Sequence, residues 1–268
     1  MPELPEVQTV VDTLRPKVVG RAIAGVALHR DDFATPAGFD WSQLAGREVA
    51  DVRRRAKRIV FVLDDGRRFF AHLGMSGRLT FCDAALPLAK HTHVVIHFDH
   101  GELRQVDPRR FGGLHWLGDD PGEANLGPEP FDLTPAKLGR RLAMTARPIK
   151  SALLDQTLVA GLGNIYVDEA LHAAGVHPLA VCRDVPADAV KRLNRSIKSI
   201  LRRAIRFKGS TLRDYVDADG NPGGFRLQHR VYNRAGEACR ACRTPIERVV
   251  LSARSTHFCP RCQRDERT

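Results

Sequence analysis

Four cysteines near the end of the chain constrain its fold more than any other residues. Cys239, Cys242, Cys259 and Cys262 read C-x2-C-x16-C-x2-C, a spacing at which two cysteine knuckles close one tetrahedral zinc site. In a reducing compartment such paired thiols hold metal rather than form disulfides. Residues 231–268 are therefore expected to fold as a zinc finger around one structural zinc ion. Four thiolates leave the metal no open position for water, so any reaction must be carried out elsewhere. Cys82 and Cys182 lack such partners and read as buried free thiols.

Charge narrows the choice of partner. The chain has 268 residues and a formal net charge of +11. Residues 1–133 carry 17 basic and 19 acidic side chains, residues 134–212 carry 14 and 5, and residues 213–268 carry 11 and 7. A positive field concentrated in the second half suits a polyanion, and nucleic acid is the expected partner. The sequence contains no apolar run of about 18 residues, and its start lacks the basic and apolar regions of a signal peptide. A cytoplasmic protein with no membrane partner is expected.

Between Val49 and Asp107, β-rich runs alternate with turns. RIVFVL (58–63) and RRFFAHL (67–73) flank Asp64-Asp65-Gly66, and HVVIHF (93–98) and ELRQV (102–106) flank Asp99-His100-Gly101. Both are hairpin signals. The acidic, Pro- and Gly-bearing stretch 119–135 reads as a linker, and the pattern beyond it is helical. Val190, Leu193, Ile197, Ile200, Leu201 and Ile205 share one face of a helix introduced by Pro186 and ended by Gly209. Lys191, Arg195, Lys198 and Arg202 form its opposite, solvated face. Shorter helices around 149–156 and 165–174 are joined by Val159–Asn164, whose glycine pair can present backbone N–H groups to a phosphate. The polar, glycine-rich stretch 213–225 is either a linker or a mobile loop over a site.

The opening MPELPEV has two readings. Proline and glutamate in a first helical turn are common, and Leu4, Val7, Val11 and Leu14 follow at helical spacing until Pro16 stops the run. Removal of Met1 would also leave Pro2 as a free secondary amine. A generic α-amino group titrates near 7.7–8.0, so a useful fraction is nucleophilic at neutral pH. Attack on a sugar carbon would give a cationic iminium that acts as an electron sink, with Glu3 beside it to move protons. Taken alone, the terminus favours the helix reading.

Motifs along the whole chain shift that balance. RRAKR around Lys57, HLGMSGRL (72–79), KHTHV (90–94), DPRRFG (107–112), LDQTLVAGLGNIYVDEAL (154–171) and RSTHFCPRCQR beside the cysteines stand in one order. With MPELPEV, the chain resembles the formamidopyrimidine-DNA glycosylase and endonuclease VIII family of base-excision repair enzymes, and its start looks like the formamidopyrimidine branch. The resemblance implies an α+β fold. An N-terminal β-sandwich domain with a leading helix (1–133) would precede a helix-two-turns-helix DNA-binding domain (134–230), whose stretch 213–225 would cover an extruded lesion. A zinc-finger β-hairpin (231–268) would follow.

It also implies roles for individual residues. Pro2 would be the nucleophile and Glu3 the general acid and base. Lys57 would contact the phosphate and damaged-base region, and Arg254 would hold the phosphate near the lesion. Met75, Arg109 and Phe111 would fill the hole left by the extruded nucleotide, two replacing its stacking and one pairing with the orphaned base. His72, His91, Arg147 and Asn164 would contact the DNA backbone. Damaged double-stranded DNA would be the partner of a monomeric enzyme.

Where the family often has glycine, this chain has Arg243, Ala253 and Asn233, so a slightly altered hairpin is expected. Three functions stay open: a glycosylase and lyase for oxidised purines, an endonuclease VIII-like enzyme for oxidised pyrimidines, and a zinc-bearing DNA-binding protein without catalysis. Retention of Pro2, Glu3 and Lys57 together argues against the last, because binding alone needs no terminal amine.

Overall fold

The apolar spacing at the N-terminus builds helix α1 (Leu4–Val18), whose Val7, Val10, Leu14 and Val18 are fully buried. The helix continues two residues beyond Pro16, where the sequence alone suggested a stop. An internal proline costs about 3 kcal/mol. Burying Leu14 and Val18 on either side, at about 1.5–3 kcal/mol each, offsets that cost. The structure, a computed structural model, describes residues 1–264. The last four residues of the expected 231–268 segment lie outside the described residues.

Two compact units are present: Met1–Ala124 with Ile205–Arg226, and Asn125–Ala204 with the chain from Leu227 onward. The first unit holds nine strands: β1 (Ile23–Leu28), β2 (Ala34–Thr35), β3 (Val49–Arg55), β4 (Arg58–Leu63), β5 (Arg68–His72), β6 (Arg78–Cys82), β7 (Thr92–Phe98), β8 (Gly101–Val106) and β9 (Gly113–Gly118). They form a four-stranded sheet, β1-β7-β8-β6, and a five-stranded sheet, β2-β9-β5-β4-β3. Both expected hairpins are present, as β4–β5 and β7–β8. One core takes Val94, Ile96 and Leu103 from the first sheet, Ile59, Phe61 and Phe69 from the second, and the apolar stripe of α1.

The glycine-rich stretch 213–225 belongs to this first unit and is packed. Tyr215 and Ala218 join its core. The Phe81 N–H donates to the Ala218 carbonyl (2.9 Å), and the Ala218 N–H donates to Thr13 Oγ1 (3.1 Å). The fully buried Asp217 carboxylate closes the turn by accepting from the N–H groups of Asp219 (3.0 Å) and Asn221 (2.8 Å). Polar composition hid this packing, because the buried apolar residues Tyr215, Ala218 and Phe225 are scattered through an otherwise polar segment.

In the second unit, Thr134 caps helix α2 (Pro135–Ala143), accepting from the Lys137 N–H at 3.2 Å. Helices α3 (Ile149–Leu153), α4 (Asn164–Ala174) and α5 (Ala187–Arg206) follow. Strands β10 (Glu247–Leu251) and β11 (Arg254–Phe258) pair from Glu247↔Phe258 to Leu251↔Arg254. The two residues between them, Ser252 (φ 48°) and Ala253 (φ 57°), are both left-handed, as a two-residue hairpin turn requires. Asn233 (φ 58°) and Arg243 (φ 67°) adopt the same conformation. The hairpin therefore keeps its register without glycine, at a cost of roughly 1–2 kcal/mol per non-glycine residue. Cys182 is buried as expected, whereas Cys82 is half-exposed at the end of β6.

Candidate functional site

In the first unit, a helix start positions the N-terminal pair. Glu3 is the N-cap of α1 and is buried, and its N–H donates to Glu6 Oε2 at 2.8 Å. Pro2 is buried directly ahead of it. Glu6 Oε1 accepts from the Ser210 N–H at 2.7 Å. A Cβ on Gly209 (φ 77°) would lie 2.8 Å from the same carboxylate oxygen, so glycine is needed there. The Tyr215 hydroxyl lies 3.2 Å from the Glu6 carbonyl. Burial and the nearby Glu6 charge push its pKa well above the usual tyrosine value. Glu6 was given no role on the sequence, although its place three residues after a cap position was the available signal.

Lys57 occupies the two-residue turn between β3 and β4, beside Ala56 (φ 54°), and is 8% exposed. His72, at the end of β5, accepts the Gly74 N–H on Nδ1 at 3.1 Å. Burial, then the positive charges of Lys57 and Arg58, hold its pKa below the ordinary histidine value. A neutral ring that accepts on Nδ1 carries its proton on Nε2 and can donate there. His91 is exposed, with φ 68°.

Met75 and Phe111 are 41% and 55% exposed, so neither is a core residue. The Arg109 guanidinium lies 4.8 Å from the centroid of the Phe111 ring. A fully buried carboxylate organises the loops that carry all three. Asp107 Oδ1 accepts from Ser76 Oγ (2.7 Å) and the Arg109 N–H (3.1 Å), and Oδ2 accepts from the N–H groups of Phe111 (2.9 Å) and Gly112 (2.8 Å). Close approach forbids side chains here, since a Cβ on Gly74 would meet the Gly112 nitrogen at 2.4 Å. Asp107 stood inside a matched motif but carried no assignment, because periodicity cannot reveal a buried hydrogen-bond hub.

In the second unit, Arg254 is exposed at the start of β11, next to the hairpin turn. The neighbouring Ser255 carbonyl is gripped twice, by Lys150 Nζ at 2.8 Å and by Asn164 Nδ2 at 2.9 Å. Lys150 also pairs with Asp168 at 2.6 Å, both side chains being fully buried, and Asp168 Oδ2 accepts the His257 N–H at 2.9 Å. Helices α3 and α4 thereby fix the strand that presents Arg254. Arg147 pairs with Asp155 at 2.9 Å on the surface. The glycine pair before α4 is less open than its sequence suggested. Residues 161–163 are buried, and the Gly161 N–H donates to Gln156 Oε1 at 2.9 Å.

The four cysteine sulfurs all lie within 4.8 Å of one another. Cys242 is 3.4 Å from Cys259 and from Cys262, and Cys239 is 3.9 Å from Cys262. Tetrahedral zinc with Zn–S bonds of about 2.3 Å requires sulfur separations of about 3.8 Å. The set fits one structural zinc ion.

Three family domains match the chain in order: the formamidopyrimidine-DNA glycosylase N-terminal domain over residues 1–114, the formamidopyrimidine-DNA glycosylase H2TH domain over 126–216, and the zinc finger found in FPG and IleRS over 236–264. A formamidopyrimidine-DNA glycosylase from Symbiobacterium thermophilum is 47% identical, over 98% of this chain and 89% of its own. The chain belongs to the formamidopyrimidine-DNA glycosylase family. The Solibacter usitatus formamidopyrimidine-DNA glycosylase is 43% identical, over 98% of this chain and all of its own. Solved structures of formamidopyrimidine-DNA glycosylases agree. The Lactococcus lactis protein in complex with DNA containing an abasic site matches with TM-score 0.92 and 34% identity, over 98% of this chain and 100% of that one. The Thermus thermophilus protein matches with TM-score 0.88 and 40% identity, over 98% of each chain. As the resemblance implied, the fold combines a β-rich N-terminal region with a leading helix, a helical H2TH region and a zinc-finger hairpin.

Proposed function

We propose that the chain is a bifunctional DNA glycosylase and AP lyase that removes oxidised purines, 8-oxoguanine and ring-opened formamidopyrimidines, from damaged duplex DNA. The observation that carries the reading is a family member with proline at position 2 and, beside it, a glutamate fixed as the cap of α1. Once Met1 is removed, the Pro2 nitrogen attacks C1′, and the bond from C1′ to the base breaks. Glu3 gives a proton to the ring oxygen as the sugar opens, leaving an iminium between Pro2 and C1′. Loss of a C2′ proton into that sink breaks the C3′–O bond, and a second elimination releases the 5′ phosphate. Water then frees Pro2 by hydrolysing the iminium, and the product is a one-nucleotide gap.

The remaining assignments follow the same reading. Lys57 contacts the phosphate and damaged-base region, Arg254 holds the phosphate near the lesion, and His72 donates from Nε2 to the DNA backbone, with His91, Asn164 and Arg147 as further backbone contacts. Of these, Arg147 must give up its Asp155 pair to reach DNA. Met75, Arg109 and Phe111 fill the gap in the stack, and residues 213–225 cover the everted base. The functional segments are 1–133 for catalysis, 134–230 for duplex binding and 231–268 for the finger, with residues 205–226 of the second segment packed as part of the first compact unit. The enzyme acts as a monomer in the cytoplasm. Among the described residues no helix is long and apolar enough to cross a membrane.

Substrate class is tested by single-turnover excision on matched duplexes. Oxidised purines are expected to be released at least about tenfold faster than oxidised pyrimidines, a difference of about 1.4 kcal/mol in barrier. The reverse order would assign the chain to endonuclease VIII-like chemistry. Asp107 tests the wedge. In Asp107→Asn an amide replaces an acceptor of four hydrogen bonds, costing about 2–3 kcal/mol of loop order. Excision of 8-oxoguanine is expected to fall roughly 30–100-fold, while cleavage at a preformed abasic site stays within about threefold. Equal losses on both substrates would contradict a wedge-positioning role.

A further inference from the structure

Helix α4 carries a polar stripe on one face: Asn164, Asp168 and His172, spaced four residues apart. Two of its members hold the hairpin, through the Ser255 carbonyl and the His257 N–H. The third reaches the metal site. His172 is 6% exposed, and its Nε2 lies 3.6 Å from Sγ of the fully buried Cys239. The Ala241 N–H approaches the same sulfur at 3.4 Å.

From this geometry we infer that His172 is an outer-shell hydrogen-bond donor to the zinc-bound Cys239 thiolate and slows release of the metal. A thiolate only accepts, so the ring nitrogen facing it carries the proton. The other nitrogen, Nδ1, is buried with no hydrogen-bond partner among the described residues. That suits a ring protonated on Nε2, because a proton on Nδ1 would be a buried donor left unused. Zinc bound by four thiolates carries excess negative charge, and an N–H donor aimed at the buried Cys239 sulfur stabilises it. Outer-shell partners of this kind are typically worth 10–100-fold in metal affinity. The inference concerns the zinc site alone and holds whichever base the enzyme excises.

The experiment follows zinc release from the full-length holoprotein into excess 4-(2-pyridylazo)resorcinol. His172→Phe keeps a ring but no donor, and is expected to release zinc about 10–100-fold faster than wild type. His172→Gln restores an N–H donor and is expected to lie within about threefold of wild type. Wild-type rates in both variants, or equal acceleration in both, would overturn the role. If the variants fail to fold, wild-type protein loaded with 113Cd decides the matter. A scalar coupling between the cadmium and the His172 Nε2 proton is expected across the hydrogen bond, and its absence overturns the inference.

Discussion

Protein that keeps Met1 is expected to cleave 8-oxoguanine DNA on the order of 10⁴-fold more slowly than protein beginning at Pro2, while binding the same duplex within about threefold. With Met1 attached, the Pro2 nitrogen is an amide whose lone pair is delocalised into the carbonyl, and it has no nucleophilic pair to offer. Removal of one residue converts it into a secondary amine in the titration range of an α-amino group. The helix start need not move, because Glu3 caps α1 and is held by Glu6, downstream of the bond that is cut. Two preparations, with N-termini established by intact mass, give the comparison. Equal cleavage rates would rule out Pro2 as the nucleophile.

Cys259→Ser is expected to lose the zinc ion and, with it, about 100-fold in affinity for damaged duplex, equivalent to about 2.7 kcal/mol. Cys259 is fully buried in a small cluster with Val231, Cys239 and Ile246, which is too small to order the finger without metal. Structural zinc sites contribute roughly 10–16 kcal/mol to folding in finger peptides. Without that contribution β10 and β11 lose one of their anchors, leaving the contacts of Lys150, Asn164 and Asp168 with β11 to place Arg254. Metal content and equilibrium binding on the purified variant read both effects. Unchanged binding by metal-free protein would contradict the finger's part in holding DNA.

The residues differ in how much of this was legible in the sequence. The cysteine quartet was, because ligand spacing is a local property that zinc geometry fixes. The two hairpins and α5 were also visible, from alternation and from a 3.6-residue stripe. Asp107, the contact of Glu6 with Ser210, and His172 were not. Each residue acts through at least one hydrogen bond to a group distant in sequence: Asp107 reaches Ser76, His172 reaches Cys239, and Glu6 reaches Ser210 across 204 positions of chain. The packing of 213–225 was hidden for a related reason, since its order comes from Tyr215 and Ala218 meeting a core built from distant strands. Pro16 misled because a single breaker was weighed without the burial that outweighs it.

The central claim is covalent, and borohydride reduction in the presence of 8-oxoguanine duplex tests it most directly. Protein beginning at Pro2 is expected to yield a stable protein–DNA adduct whose cross-linked peptide maps to Pro2. An adduct on a lysine such as Lys57, or none on any oxidised or abasic duplex, would contradict it.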